Sequence, residues 1–286
     1  IFFGVGKSAD RWLDFYFFRF QPSELMKIFV PLMIASFYGD KSLPPRFRHL
    51  VVAALIIIVP ALLIAKQPDL GTAILITSSG IIAIFLSGIR LSHIFLGLIF
   101  VIGAMPLLWS LMYDYQKARV LSFFSPDQDI LGSGYHLVQS KIALGSGGLF
   151  GKGYMNGTQS KLDFLPENHT DFIFSVIAEE FGLIVCLIII LIYSIIILRS
   201  IIIALNCNDI FQILSISSLS ALIGIQSLIH ISSNLSLIPT KGMTLPLLSY
   251  GGSSTISAAI VIGFLLSLTR KRIDFSDVSL NIENYK

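Results

Sequence analysis

Charged residues and cysteines are scarce in this 286-residue chain, and both shortages exclude classes of protein. Only 13% of the residues are charged, whereas about 25% are charged in a typical soluble domain. Hydrophobic residues make up 54%, and the mean hydropathy is +0.81. One globular core of this length cannot bury so much apolar surface, so the composition predicts an integral membrane protein.

The two cysteines, Cys186 and Cys207, argue against a disulfide framework. A helix between them would separate them by roughly 30 Å, which is far beyond the reach of a disulfide. The sequence has no Cys/His spacing typical of zinc sites. The net charge of +3 comes without any RNA- or DNA-binding motif.

Seven apolar segments are predicted to span the membrane, which predicts an all-α polytopic helix bundle. The predicted spans are 22–39, 50–66, 71–89, 93–112, 172–198, 210–235 and 251–269. The chain is interpreted as a single domain, 1–286, with a long loop at 113–171. Aromatic residues and closely spaced glycines in this loop predict a structured extracytoplasmic cap rather than an inert linker. A short amphipathic helix at about 136–144 is expected to lie against the membrane.

The Lys and Arg residues of the short connecting segments predict the orientation of the bundle. Eight of them fall on the side that holds the C-terminus: Lys41, Arg46, Arg48, Arg90, Arg199, Arg270, Lys271 and Arg272. Five fall on the other side: Lys7, Arg11, Arg19, Lys66 and Lys241. The bias places the C-terminus in the cytoplasm and the long loop outside.

The stretch FLPENHTDFIFSVIAEEFG, at the end of the long loop, brings ionisable groups to the start of an apolar helix. Thr170 is expected to cap this helix and Asp171 to lie in its first turn, near the positive end of the helix dipole. The Asp171 carboxylate is then either only a dipole partner or a functional group at the membrane surface. Glu179 and Glu180 lie two turns deeper, and at most one is expected to face the protein interior, in a structural or a catalytic role.

Other charges in or beside the predicted spans have two interpretations each. Glu24 and Lys27 lie three residues apart on one helix face, as either a structural ion pair or part of a site. Asp69 either caps the next helix or serves the site. Lys241 precedes a helix rich in serine and glycine.

Five motifs in one order resemble those of the SEDS family (shape, elongation, division and sporulation). The motifs are QPSELMK (21–27), QPDLGTA (67–73), GSGYHLVQSKIALGSGGLFGKG (132–153), GTQSKLDFLPENHTDFIF (157–174) and PTKGMTLPLLSYGGSS (239–254). The loop motifs are closer to the RodA subgroup, whereas the last motif is more like the FtsW subgroup, and RodA is favoured. The resemblance implies ten membrane helices with both ends cytoplasmic. The seven spans then correspond to helices four to ten, and an N-terminally incomplete domain is expected.

The resemblance also implies an activity, a substrate and a partner. The activity is peptidoglycan glycosyl transfer at the outer face of the bacterial cytoplasmic (inner) membrane, for elongation or septal division. The substrate is lipid II, an undecaprenyl-pyrophosphate-linked disaccharide-pentapeptide, and the partner is a class B penicillin-binding protein. The family's essential aspartate falls on Asp171, and its Glu/Lys pair falls on Glu24 and Lys27.

Glycan polymerisation requires a base for the attacking hydroxyl and cations for the departing pyrophosphate. Asp171 is the expected base. The candidates for binding substrate or pyrophosphate are Lys27, Glu24, Lys117, Arg119, Lys141, Lys152 and Lys241. The supporting candidates are Asp69, His169, Glu179, Glu180 and Ser249.

Some alternatives stay open from the sequence. A divalent cation, Mg²⁺ or Mn²⁺, held by Asp171 or Glu24 would assist the reaction, although no ligand motif demands one. The alternative functions are a lipid II flippase or transporter, and a non-catalytic scaffold that recruits a penicillin-binding protein.

Overall fold

The structure is a computed structural model that describes residues 12–14, 19–67, 69–124, 133–161, 165, 168–239 and 242–270. Within these residues the fold is helical, apart from a two-residue antiparallel pairing between β1 (Leu13–Asp14) and β2 (Arg19–Phe20). The helices are α1 (Pro22–Gly39), α2 (Phe47–Ala65), α3 (Leu70–Leu86), α4 (Leu91–Leu111), α5 (Asp114–Phe124), α6 (Ser133–Ser146), α7 (Thr158–Lys161), α8 (Ile173–Leu205), α9 (Ile210–Asn234) and α10 (Gly252–Thr269).

A helix occurs at each of the seven predicted spans, and the largest difference is at α8, which continues to Leu205. In the described part of the chain, four helices, α2, α8, α9 and α10, are long and apolar enough to cross a bilayer. α3 and the Leu91–Leu107 part of α4 are shorter apolar helices. The chain is therefore an all-helical membrane protein.

Short polar signals fix where several helices begin. Asp69 caps α3, because its carboxylate accepts a hydrogen bond from the backbone N–H of Thr72 at 3.1 Å. Asp209 caps α9 in the same way, through the N–H of Phe211. Pro22 occupies the first turn of α1, where its missing N–H costs nothing.

Helix α9 lies at the centre of the bundle and packs against α1, α3, α8 and α10. Its buried face contains small serines, which let neighbouring backbones approach closely. Several of these hydroxyls bond within the helix: Ser218 donates to the carbonyl of Leu214 at 2.6 Å, and Ser227 donates to that of Ile223 at 2.8 Å. The Ser215 hydroxyl and the His230 Nε2 are exceptions, since both are buried without a hydrogen-bond partner among the described residues.

Helix α8 is interrupted at Gly182, where φ is 80° and ψ is −177°. A chain segment from the long loop fills the gap. The N–H groups of residues 152–153 donate to the carbonyl oxygens of residues 179–180, and those of residues 183–184 donate to the carbonyls of residues 148–149, at 2.9–3.3 Å. These bonds replace the helical ones lost at the break, as a membrane environment requires.

Glycines allow this contact between the loop and α8. A Cβ at Gly147 would overlap the carbonyl oxygen of Ala178, and one at Gly151 would overlap that of Glu180. The loop motif GSGGLFGKG is therefore a backbone-to-backbone docking segment rather than a run of free turns.

Helices α5, α6 and α7 lie in the region predicted as the long loop, and α6 contains the predicted helix 136–144. The face of α6 with Leu137, Ser140 and Ala143 is buried. The opposite face exposes 43% of Val138 and 44% of Ile142. Helix α6 is thus packed on one side and apolar on the other.

Candidate active site

Asp171 lies in a turn, residues 168–172, directly before α8, and is half-buried. Helix α8 begins at Ile173, so the expectation that Thr170 caps the helix with Asp171 in its first turn is wrong. The residue at the cap position is Phe172, which makes no side-chain cap hydrogen bond. A side chain from α9 takes this role: the Oδ1 of Asn234 accepts a hydrogen bond from the N–H of Ser175 at 3.2 Å.

The backbone of the Asp171 turn is held by two other parts of the chain. The consecutive carbonyl oxygens of residues 169–171 accept hydrogen bonds, in order, from the N–H of Tyr250 at 2.9 Å, the hydroxyl of Ser249 at 2.8 Å and the side-chain amide of Asn234 at 3.0 Å. Two predicted supporting residues, His169 and Ser249, therefore belong to this clamp, His169 through its backbone.

The extended segment 242–246 passes beside the Asp171 carboxylate. A Cβ on Gly242, whose φ is 62°, would lie 3.2 Å from the Asp171 Oδ2. Helix α9 holds the segment through Gln226, which donates to the carbonyl of Thr244 at 2.9 Å. The predicted cation Lys241, next to Gly242, lies outside the described residues.

The same segment ends at a pocket inside the helix bundle. Pro246 and Gln226 line this narrow pocket together with Glu24, Lys27 and Ser257. Glu24 and Lys27 form a buried ion pair at 2.7 Å, and the hydroxyl of Ser257 donates to Glu24 at 2.7 Å. The segment therefore connects the Asp171 turn with the predicted Glu/Lys pair.

Asp69 joins two of the sequence motifs. Its Oδ2 accepts hydrogen bonds from the side-chain amide of Gln21 at 2.8 Å and from the hydroxyl of Thr72 at 2.9 Å. The capping interpretation of Asp69 is confirmed, and the bond to Gln21 fixes the start of α1 against the start of α3.

Glu179 is fully buried and anchors the loop to α8. Its Oε1 accepts from the Lys152 ammonium at 2.7 Å and from the Thr158 N–H and hydroxyl, both at 2.9 Å, while the Gln159 N–H donates to the carboxylate at 3.2 Å. Glu180 is also buried, at 9% exposure, so the expectation that at most one of the two faces the interior is wrong. The docked loop covers this side of α8, and no local pattern predicts that.

The remaining predicted cations lie on α5 and α6. Lys141 is exposed on α6 and Lys117 is half-buried on α5. Arg119 is also on α5, and its side chain is outside the described part of the structure.

Sequence reasoning missed Asn234, Ser175 and Ser257, which hold the two predicted acidic groups in place. Asn234 and Ser175 belong to the Asp171 turn, and Ser257 binds Glu24. For Asn234 and Ser257, the sequence signal was the presence of polar residues at the ends of apolar helices, in the segments HISSN (230–234) and SYGGSSTIS (249–257). That signal is weak because such residues usually serve only their own helix.

Comparison with known proteins assigns this arrangement to a family. The family described as FTSW_RODA_SPOVE, cell cycle protein, matches residues 2–273. The chain belongs to the SEDS family. It is 44% identical to the peptidoglycan glycosyltransferase MrdB of Escherichia coli K12 over 95% of this chain and 74% of that protein. The stage V sporulation protein E of Bacillus subtilis is 40% identical over 93% and 73%. A probable FtsW of Geobacter metallireducens is 36% identical over 94% and 72%.

Solved structures of SEDS proteins share the fold. A chain of a peptidoglycan synthase complex that coordinates polymerization and crosslinking superposes with a TM-score of 0.79 at 28% identity, covering 94% of this chain and 76% of that one. The RodA of Thermus thermophilus superposes with a TM-score of 0.66 at 26% identity, covering 94% and 72%. The higher identity to MrdB than to the FtsW protein supports the RodA-type assignment.

Proposed function

We propose that this chain is a peptidoglycan glycosyltransferase that polymerises lipid II at the outer face of the cytoplasmic membrane, with Asp171 as the general base. Its SEDS relatives carry that activity in their names. The observation that carries the assignment to Asp171 is the clamped turn, in which three successive carbonyls are held by other segments. A backbone fixed in this way gives a carboxylate the constant position that proton transfer requires.

All seven predicted helices, α1–α4 and α8–α10, cross the membrane in this proposal, with the C-terminus in the cytoplasm. The bias of Lys and Arg supports this orientation. At about 1.5 Å per residue, even the 17-residue α3 is about 26 Å long, which is close to the hydrocarbon thickness of about 30 Å. Exposed apolar residues on α6 and the following loop, such as Ile142 and Phe150, support contact with the outer leaflet.

The reaction follows from the chemistry of a pyrophosphate-linked sugar. The acceptor hydroxyl forms a bond to the anomeric carbon of the donor, and its proton passes to the Asp171 carboxylate. The bond between that carbon and the pyrophosphate oxygen breaks, and the pyrophosphate leaves with the electron pair. Positive groups near the leaving oxygen lower the barrier. Among the predicted cations that the structure describes, Lys27 and Lys152 already form ion pairs, with Glu24 and Glu179. Lys117 and Lys141 form no ion pair with a described carboxylate, so they are the candidates for binding the pyrophosphate.

The residues of the described part of the chain do not fit a metal centre built by the protein alone. Within that part, no group of three or more His, Cys, Asp or Glu side chains is placed to hold an ion. Glu24 is already bound by Lys27 and Ser257. No step of the reaction is therefore derived through a divalent cation, and a cation requirement stays a prediction, measured by polymerisation with EDTA and with Mg²⁺ or Mn²⁺ restored.

The partner in this proposal is a class B penicillin-binding protein, which crosslinks the new strands. The solved peptidoglycan synthase complex that shares the fold supports this pairing. Flippase and scaffold functions make different predictions for purified protein mixed with lipid II. A polymerase yields glycan strands, a flippase moves lipid II between leaflets, and a scaffold does neither.

The test of the catalytic assignment is Asp171→Asn, which preserves size and removes the basic carboxylate. We expect polymerisation of fluorescent lipid II to fall about 10²- to 10⁴-fold, the range for loss of a general base. The matched control is Asp209→Asn, which retains the cap of α9 and should leave the rate unchanged. A fully active Asp171→Asn protein would remove Asp171 from the mechanism.

A further inference from the structure

Asn234, the last residue of α9, is completely buried and uses its whole side-chain amide. Its NH₂ group donates to the carbonyl oxygens of Asp171 at 3.0 Å and His230 at 2.9 Å. Its Oδ1 accepts from the N–H and the hydroxyl of Ser175, at 3.2 Å and 2.7 Å. Two donors and two acceptor positions are the full capacity of this group.

The partners determine which way the amide faces. A rotated amide would point its NH₂ group at the Ser175 N–H and its oxygen at two carbonyls, so donor would meet donor and acceptor would meet acceptor. An aspartate at this position would face the two carbonyls with acceptors only. Asparagine is the residue of this size that donates to one side and accepts on the other.

We propose that Asn234 is a positioning residue for Asp171, an inference that rests on the proposed catalytic function of that carboxylate. Asn234 holds the junction between the turn and α8: it accepts from Ser175 in the first turn of α8 and donates to the carbonyl of Asp171 itself. It belongs to the central helix of the bundle, so it ties the reactive carboxylate to the most buried part of the fold. It acts through the backbone and does not touch the reacting atoms.

A positioning residue affects where the Asp171 carboxylate lies rather than how tightly the substrate binds. A displacement of about 1 Å in a catalytic group lowers turnover by up to about 100-fold. Loss of Asn234 is therefore expected to lower kcat and to leave KM nearly unchanged, because the groups that bind the lipid-linked substrate stay in place.

The same buried network provides a matched control. The hydroxyl of Ser140, on α6, donates to the backbone carbonyl of Asn234 at 2.7 Å, and its oxygen lies 2.7 Å from the hydroxyl oxygen of Ser175. Replacing Ser140 by alanine disturbs the network and lowers the stability of the protein. It leaves the hydrogen bonds that join Asn234 to Asp171 and to Ser175 available.

The experiment compares Asn234→Ala with Ser140→Ala in polymerisation of fluorescent lipid II, with melting temperatures measured on the same preparations. We expect kcat to fall about 10- to 100-fold in Asn234→Ala with KM within about twofold of the parent. Ser140→Ala should keep most of its kcat even where its melting temperature falls. An equal loss of kcat in both variants, a change confined to KM, or full activity of Asn234→Ala would each overturn the proposal.

Two further variants separate the possible failures. If Asn234→Ala does not elute as a folded monodisperse protein, Asn234→Ser, which keeps a small polar group, replaces it under the same criteria. Asp171→Asn is assayed alongside. An inactive Asp171→Asn with a normal kcat in the Asn234 variant overturns the positioning role alone, whereas an active Asp171→Asn overturns the proposed function.

Discussion

Buried and half-buried polar side chains of this protein bind one another across large distances in the sequence. Gln21 reaches Asp69 over 48 residues, and Ser257 reaches Glu24 over 233 residues. Each bond spares a polar group the cost of burial without a partner, about 1–3 kcal/mol. Single residues therefore hold together segments of the chain that local sequence preferences would not bring into contact.

Lys152→Ala is predicted to destabilise the protein through Glu179, which would stay buried without its cation. The backbone N–H groups of Thr158 and Gln159 still bind the carboxylate, and the Lys152 side chain is 29% exposed. We therefore expect a loss of about 2–3 kcal/mol, less than for a fully buried pair. Denaturant unfolding in detergent measures it. The control is Lys161→Ala, an exposed lysine, and equal effects of the two variants would contradict the prediction.

Some of the residues that hold the candidate site together could be predicted from the sequence, and others could not. Asp69 and Asp171 stand out in the sequence because a carboxylate beside an apolar helix is unusual in itself. Asn234 was not, because its value depends on the carbonyl of Asp171, 63 residues away, and no spacing rule records such a contact.

Helix α8 is the element that departs most from the sequence prediction. Its apolar course was predicted, but the residue at its cap position was predicted wrongly. The break at Gly182 was not predicted, since one glycine in an apolar run is compatible with an unbroken helix. The break exists because the loop supplies hydrogen-bond partners for the interrupted backbone. An element's shape thus depends on another element that is remote in the sequence.

Gly151→Ala is predicted to disrupt the docking of the loop on α8. The substitution places a side chain at φ 78° and against the carbonyl of Glu180, so we expect a loss of about 1–3 kcal/mol and faster proteolysis of the loop. Thermal unfolding and limited proteolysis measure these effects. Gly97→Ala is the control, because it lies in helix α4 with open space around it and should be neutral or stabilising by about 0.5–1 kcal/mol. Unchanged stability of Gly151→Ala would contradict the docked arrangement.

The overall architecture was easier to predict than any single residue or helix boundary, because apolar runs long enough to cross a bilayer leave few alternatives to a helix bundle. The seven helices came from hydropathy alone, and the family came from five motifs. The packing around α9 could not be predicted, since every helix of the bundle is apolar and hydropathy does not distinguish the central one.

Orientation across the membrane yields a labelling prediction for the full-length protein in cells. With Cys207→Ser and Cys186→Ala as background, Lys161→Cys should react with an impermeant maleimide in intact cells. Asp40→Cys, equally exposed but after α1, should react only after the membrane is opened. The reverse pattern would place α5–α7 in the cytoplasm and exclude an outer active site.

The break in α8 sets a height for the chemistry. The part after the break, residues 183–205, extends about 35 Å as a helix, which is enough to cross the hydrocarbon layer of about 30 Å. The large apolar side chains that α8 exposes begin at Phe181, so the part before the break, which follows Asp171, lies beside the docked loop and not among these exposed side chains. In the proposed orientation, Gly182 therefore marks the edge of the apolar layer. Asp171 stands one short helix beyond that edge, at a height fixed by the loop that fills the break.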